Sequence, residues 1–242
     1  MRSSNGSSDA GPTLIGRSHT ATMGIDAIYR VAMGGIACWV RNHHGQMHDL
    51  PMNRWIGGHR STADDHRADE EILAHCGSRL TLDLGCGPGR FAASLHQRGT
   101  PVLGVDESIA AVEITRARGG TAIRRGLFSP LPAEGRWDRV LLADGNIGIG
   151  GDPVRTLTRV AQLLAPGGVV IAEIDRHGTA VCREMLRWET DQHVSQWFAW
   201  ARVGARVIDD VARAAGLAVT TIAEIHDRVI AVLAAPECAI GR

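Results

Sequence analysis

The chain of 242 residues contains no lysine: all 26 of its basic residues are arginine. That absence removes chemistry built on an amine side chain, including a Walker-type phosphate loop, Schiff-base catalysis and pyridoxal chemistry. An excess of either charge is also missing. The 26 basic residues are balanced by 26 acidic ones and no long run of one sign occurs, so the chain lacks an electrostatic footprint for nucleic acid or an anionic membrane surface. The five cysteines, Cys38, Cys76, Cys86, Cys182 and Cys238, are odd in number, scattered and free of any C-x-x-C pair. This argues against a disulfide framework or a zinc site. No apolar run approaches the roughly 18 to 20 residues of a membrane span. Met1 to Gly11 has neither the apolar core of a secretory signal nor the pattern of a transit peptide, so a cytoplasmic location is expected.

What is present reads as one α/β domain with an appendage. Residues 1–22 form a polar tail, too poor in apolar groups to offset the entropy of ordering. Residues 23–67 form an N-terminal appendage carrying Trp39, Trp55, His43, His44 and His48, with a helix following over Asp64 to Cys76, capped by Asp64 or Asp65. Residues 68–242 form the main domain, in which short β-branched runs alternate with helical patterns, the signature of βα units on a parallel sheet. The strands fall at Leu80–Leu84, Pro101–Asp106, Thr121–Arg125, Trp137–Ala143, Val169–Ile174, Leu217–Ile222 and Arg228–Leu233. Ser108 is placed to cap a helix reaching Arg118. Asp152 and Pro153 open another that runs to Leu164 and stops at Pro166-Gly167-Gly168.

The most informative segment is Leu82-Asp83-Leu84-Gly85-Cys86-Gly87-Pro88-Gly89-Arg90, an acid near the end of a buried strand followed by glycines at alternate positions. Such glycines permit a tight turn and bring backbone close to a ligand, while the next helix offers free N–H groups. A nicotinamide fingerprint would want a glycine where Arg90 stands. Twenty-one positions after Gly85 the next strand ends in Asp106, where an acid accepts bonds from ribose hydroxyls in nucleotide-binding sheets.

Asp83-Leu84-Gly85-Cys86-Gly87-Pro88-Gly89, with Asp106 downstream, resembles the signature of the class I S-adenosylmethionine-dependent methyltransferases. Ala143-Asp144-Gly145-Asn146 after the fourth strand and Leu163-Leu164-Ala165-Pro166-Gly167-Gly168 before the fifth extend the resemblance, which covers about residues 68 to 235. The stretches Leu142 to Gly151 and Trp197 to Gly204 are similar to an actinobacterial subgroup of those enzymes. The resemblance implies a Rossmann-like α/β fold, with a seven-stranded, mostly parallel sheet whose last strand is antiparallel. It implies S-adenosylmethionine as cofactor and S-adenosylhomocysteine as product. Gly85, Cys86 and Gly87 would then approach the methionine portion, Asp83 would fix the loop or the amino group, and Asp106 would hold the ribose. Glu107 and Ser108 would lie beside the adenine, with Gly126, Leu127 and Phe128 near its face or edge, and Ala143, Asp144 and Gly145 would floor the cofactor. Two departures stand out: Gly126 occupies a position where the family often has an acid, and Glu107 one where it often has an apolar residue.

Methyl transfer mainly requires alignment and exclusion of water, so no obligatory catalytic side chain is expected. An oxygen nucleophile would want a base, for which His43, His48 and His177 are candidates. Asp144, Asn146, Trp55, Trp197, Trp200 and Arg202 are candidate substrate residues. The aromatic residues near 197–200 suit a lid over an apolar or aromatic substrate, or equally the packing between sheet and helix. No metal is expected, because the spacing of His43, His44, His48 and Asp49 does not guarantee convergent ligands. The expected reaction is transfer of methyl to an oxygen, nitrogen or carbon of a small molecule. The alternative is a non-catalytic protein binding the cofactor or its product.

Overall fold

Val140, Leu141 and Leu142 form one apolar run because both faces of their strand are covered, which is why the run does not alternate with polar residues. A computed structural model describes residues 21–235, so the tail expected over 1–22 lies outside the described residues apart from its last two. In chain order, β1 (Ala21–Thr22), α1 (Ile25–Met33), β2 (Trp39–Asn42), β3 (Met47–Asp49), α2 (Met52–Ile56) and α3 (Ala63–Cys76) come first. The βα region follows with β4 (Thr81–Leu84), α4 (Arg90–Gln97), β5 (Val102–Asp106), α5 (Ile109–Ala117), β6 (Ala122–Arg124), β7 (Trp137–Leu142), α6 (Pro153–Leu163) and β8 (Leu164–Ile174). Then come β9 (Val181–Glu189), β10 (His193–Val194), β11 (Phe198–Val203), α7 (Ile208–Ala214), β12 (Ala218–Ile225) and β13 (Arg228–Ala234).

The large sheet has the order β12-β13-β8-β7-β4-β5-β6. The strands from β4 to β8 pair in parallel, and the last strand, β13, runs antiparallel to both β8 and β12. This is the α/β arrangement expected. Val140 and Leu142 of β7 pack with Val170, Ala172, Leu157 and Leu163 on one face. Leu141 joins Ile171, Ile230, Ile72 and Phe91 on the other. Strand order reverses at β4, which pairs β5 on one side and β7 on the other, so the crevice at its carboxyl end is a topological switch point.

Three local features differ from the sequence reading. The cap of α3 is Thr62, whose hydroxyl accepts from Asp65 N while the Asp65 carboxylate accepts from Thr62 N, a reciprocal capping box. Strand β8 starts at Leu164, ahead of Pro166-Gly167-Gly168, but its register with β7 breaks across that segment and pairing resumes at Val169. The largest difference is that Phe198 and Trp200 lie in a strand that the sequence reading did not contain, while Trp197 precedes it. Strands β9, β10 and β11 join β1, β2 and β3 in a second sheet, with β9 pairing β2, β10 and β11. Along β9, Leu186 and Trp188 are buried while Arg183 and Met185 are exposed, an alternation diluted in sequence by the half-buried Arg187. β11 lies so close to the turn after β7 that a Cβ on Gly148 would stand 1.7 Å from the Ala201 carbonyl oxygen, and only glycine fits there. No helix among the described residues is long and apolar enough to cross a membrane.

Candidate functional site

Gly85, Gly87 and Gly89 all have positive φ, so the turn between β4 and α4 takes a path that other residues follow only under strain. Three groups fix it. Gly85 N and Cys86 N donate to Val105 O at 2.8 and 3.1 Å, tying the loop to the neighbouring strand. Asn146 Nδ2 donates to the carbonyls of Leu84 and Gly85, each at 2.9 Å. Asp106 accepts from Gly87 N through Oδ2 and from Ser108 N through Oδ1, both at 2.9 Å, and burial pushes its carboxyl above the usual range. Ser108 in turn caps α5 and donates from its hydroxyl to Asp26 of α1 at 2.6 Å.

Asp83 is 1% exposed and its Oδ2 has no partner. Burial is the main reason its carboxyl is pushed up to about 7, with Arg90 pulling the other way. On the far side of the crevice Asp144 has φ 52°, a left-handed conformation rare outside glycine. Its N–H donates to Glu173 Oε2 at 2.8 Å, and its carboxylate accepts from Arg90 at 2.6 Å. Arg228 completes the set: it donates to both Glu173 oxygens at 2.8 and 2.7 Å and to Asp69 at 2.6 Å, and Asp69 also pairs with Arg90. Burial pushes Asp144 up, whereas the bonds from Arg228 hold Glu173 below its usual range despite its burial.

The expected site residues divide. Asp83 and Asp106 stand at the carboxyl ends of β4 and β5, and Gly85, Cys86, Gly87, Ser108, Ala143, Asp144 and Gly145 on the turns that follow β4, β5 and β7. Glu107 carries its carboxylate against Gly126, where a Cβ would meet Glu107 Oε1 at 2.4 Å. The two departures from the family pattern are thus one arrangement, in which the missing side chain makes room for the unexpected acid. Leu127 instead packs in the main core, and Phe128 lies under the Arg155 guanidinium at 4.0 Å from the ring centroid. Asn146, expected at the substrate, spends its amide on the glycine loop. Asn146→Ala should therefore cost about 1–3 kcal/mol by leaving two carbonyls unpaired. Urea unfolding reads this, and a cost below about 0.5 kcal/mol would mean that the amide is not what fixes the loop.

The other candidates do not gather in one place. Trp197 is exposed and stacks against Arg187 at 4.8 Å, and Arg202 is exposed beside Glu184 and Cys182. His43 is exposed and stacks on His44, while His177 is exposed after β8. His48 lies on β3 opposite Val40. Among the described residues no three His, Cys, Asp or Glu side chains form a metal-binding group. Trp55 and Trp200 do pack into one cluster, with Tyr29 of α1 and Trp188 of β9. Sequence reasoning missed Tyr29, Asp69, Glu173 and Arg228. For Tyr29 a signal existed, since Ile25, Ile28, Tyr29 and Ala32 repeat at helical spacing. A surface hollow of about 640 Å³ is bounded by His66, Glu70 and Ile225 and does not include the glycine loop.

Residues 81–168 match the family model of a methyltransferase domain. The chain is 31% identical over 165 residues to an uncharacterised 37.1 kDa protein in transposon TN4556 of Streptomyces fradiae, covering 60% of this chain and 45% of that protein. It is 29% identical over 146 residues to a ubiquinone biosynthesis O-methyltransferase of Alkalilimnicola ehrlichii, covering 54% of this chain and 59% of that enzyme. The chain thus spans about half the length of these curated relatives. An S-adenosylmethionine-dependent methyltransferase from Bacteroides fragilis, solved with S-adenosyl-L-homocysteine, superposes with TM-score 0.69 at 18% identity, over 88% of this chain and 92% of that one. Residues 81–168 thus match a methyltransferase domain, and the chain has the fold of an S-adenosylmethionine-dependent methyltransferase.

Proposed function

We propose that the chain transfers the methyl group of S-adenosylmethionine to a small-molecule acceptor and releases S-adenosylhomocysteine. The observation that carries this reading is the pair of acids beside the glycine loop. Asp106 is held by two backbone N–H groups, and Asp83 is buried with one carboxylate oxygen unpaired. A buried unpaired carboxylate is costly unless a ligand completes it, and an ammonium group does so. The residues present therefore fit the cofactor. Asp83 would take its amino group, Asp106 its ribose hydroxyls, and the backbone of Gly85, Cys86 and Gly87 its methionine portion. Glu107, standing over Gly126, would accept from the adenine amino group, with Ser108 beside it. Ala143, Asp144 and Gly145 would form the floor.

Bound S-adenosylmethionine supplies an electrophilic methyl on a sulfonium centre. The protein's part is then to orient the acceptor and keep water out, for which residues 23–67 together with 181–203 would supply the cover over the rest of the chain. The ubiquinone-biosynthesis relative is an O-methyltransferase, which supports a small-molecule acceptor and an oxygen among the O, N and C nucleophiles open to this fold. Calorimetric titration tests the reading. S-adenosylmethionine and S-adenosylhomocysteine should each bind at one site, NAD should not, and Asp106→Ala should weaken binding at least about tenfold by removing charge-assisted bonds. Failure of the folded protein to bind either sulfur compound would overturn it.

A further inference from the structure

Asp83 Oδ2 and Tyr29 Oη are both sealed from water and both without a hydrogen-bond partner. A carboxylate oxygen that is to meet a cofactor but is closed to solvent is reached only when some part of the chain moves. The element lying on the glycine loop is α1.

Tyr29 reaches from α1 to the loop, and its hydroxyl oxygen lies 3.3 Å from where a Cβ on Gly87 would stand. A glycine leaves such a space open so that backbone can come close to a ligand, and here the phenol fills it. Burial, followed by the Asp106 carboxylate, pushes the Tyr29 phenol above its usual range, and Asp144 acts in the same sense. The hydroxyl thus stands within the field of the two acids assigned to the ribose and to the floor of the site. Behind it the ring centroid is 5.8 Å from that of Trp188, and Ile28, Tyr29 and Ala32 pack with Ala110 and Ala111 of α5. A phenol in this position and a cofactor reaching the same acids exclude each other.

The polar ties of α1 are few. Ser108 Oγ donates to Asp26 at 2.6 Å, Arg124 stands 3.8 Å from the other Asp26 oxygen, and an exposed ion pair joins Arg30 to Glu113. Exposed pairs of this kind contribute little. The missing partner of the Tyr29 hydroxyl also works against the closed position, because opening returns that group to water. On either side of the helix the chain is fastened to the small sheet by β1 and β2, and glycines stand between, Gly24 before the helix and Gly34 and Gly35 after it. A Cβ on Gly24 or Gly35 would meet nothing within 4 Å. Uncrowded glycines at the ends of an element can absorb the change in φ and ψ that a hinge needs.

We propose that α1 is the gate of the cofactor site and Tyr29 its bolt, an assignment that rests on the methyltransferase reading. The phenol holds the place at Gly87 that the cofactor takes, and the helix turns out between Gly24 and Gly34–Gly35 before S-adenosylmethionine reaches Asp83 and Asp106.

Stopped-flow mixing with S-adenosylhomocysteine tests the gate, followed by tryptophan fluorescence, since Trp188 and Trp55 pack in the cluster that holds Tyr29. The observed rate for the parent should level off at high ligand, because opening limits it. Tyr29→Ala removes the bolt, so association should be at least about fivefold faster and should keep rising with ligand. Tyr29→Phe keeps the ring and removes the unpaired hydroxyl, which steadies the closed helix; association should be slower than in the parent and the melting temperature no lower. A phenol that merely touches the bound cofactor would not give effects of opposite sign, since both variants would then speed dissociation and leave association unchanged. If Tyr29→Ala does not fold, Arg30→Ala, which frees α1 from Glu113, should speed association in the same direction. Association unchanged in the Tyr29 variants, with S-adenosylhomocysteine still bound, overturns the gate and leaves the methyltransferase reading standing. Binding by Tyr29→Ala and not by the parent supports both. If neither folded protein binds S-adenosylhomocysteine, both fall.

Discussion

Arg228→Met is expected to lower the unfolding free energy by about 3–5 kcal/mol, the range found when one partner is removed from a buried ion network. Arg228 is 2% exposed and grips both oxygens of Glu173 together with Asp69. Without it, Arg90 alone would face the carboxylates of Asp69, Asp83, Asp144 and Glu173. Methionine restores most of the packing volume, so the loss reports the missing charge rather than a cavity. Adding Glu173→Gln to Arg228→Met should recover part of that loss, because an uncompensated buried charge is removed with its partner. Urea unfolding at neutral pH reads both quantities. A single-variant loss below about 1 kcal/mol would mean that water relieves the network and that it does not hold the crevice together.

That network also shows where reading the chain runs out. The glycine loop and Asp106 were legible because turn chemistry and the strand–loop–helix rhythm are local, written within about twenty residues of each other. The large sheet followed from the same rhythm. Arg228 and Glu173 are 55 residues apart, and their union is a product of β13 lying beside β8. Nothing in either strand's own pattern announces it. The second sheet poses the same difficulty more sharply. β2 and β9 pair from opposite ends of the chain, Trp39 with Glu189, and Trp39 Nε1 and Arg41 both donate to that glutamate. Period-two alternation can announce a strand but not its partner. The aromatic concentration near Trp197 and Trp200 was visible, but its division was not. Strand geometry carries Trp200 into the cluster with Tyr29 and leaves Trp197 exposed, stacked on Arg187.

Asp83→Asn should move stability and cofactor affinity in opposite directions. The Asp83 carboxyl is pushed by burial up to about 7 in the folded chain, against about 3.8 when unfolded. Below about pH 4 both states hold the proton and Asp83 costs nothing. As pH rises toward 7 the unfolded chain releases its proton while the folded chain retains it, so stability falls across that window and then levels off. Asparagine abolishes this loss, and the variant should unfold at higher urea than the parent at pH 8 but at a similar concentration near pH 4. Cofactor binding runs the other way. An ammonium group favours the ionised carboxylate, so the parent's affinity for S-adenosylmethionine should rise roughly tenfold between pH 6 and pH 8, following the ionised fraction through about 7. The variant should bind at least about tenfold more weakly at pH 8 and lose that dependence. Titration calorimetry at the two pH values, with urea unfolding alongside, checks both arms. An Asp83→Asn protein less stable than the parent at pH 8, with unchanged affinity, would mean that the buried carboxylate is a structural hydrogen-bond acceptor and not the group reserved for the cofactor.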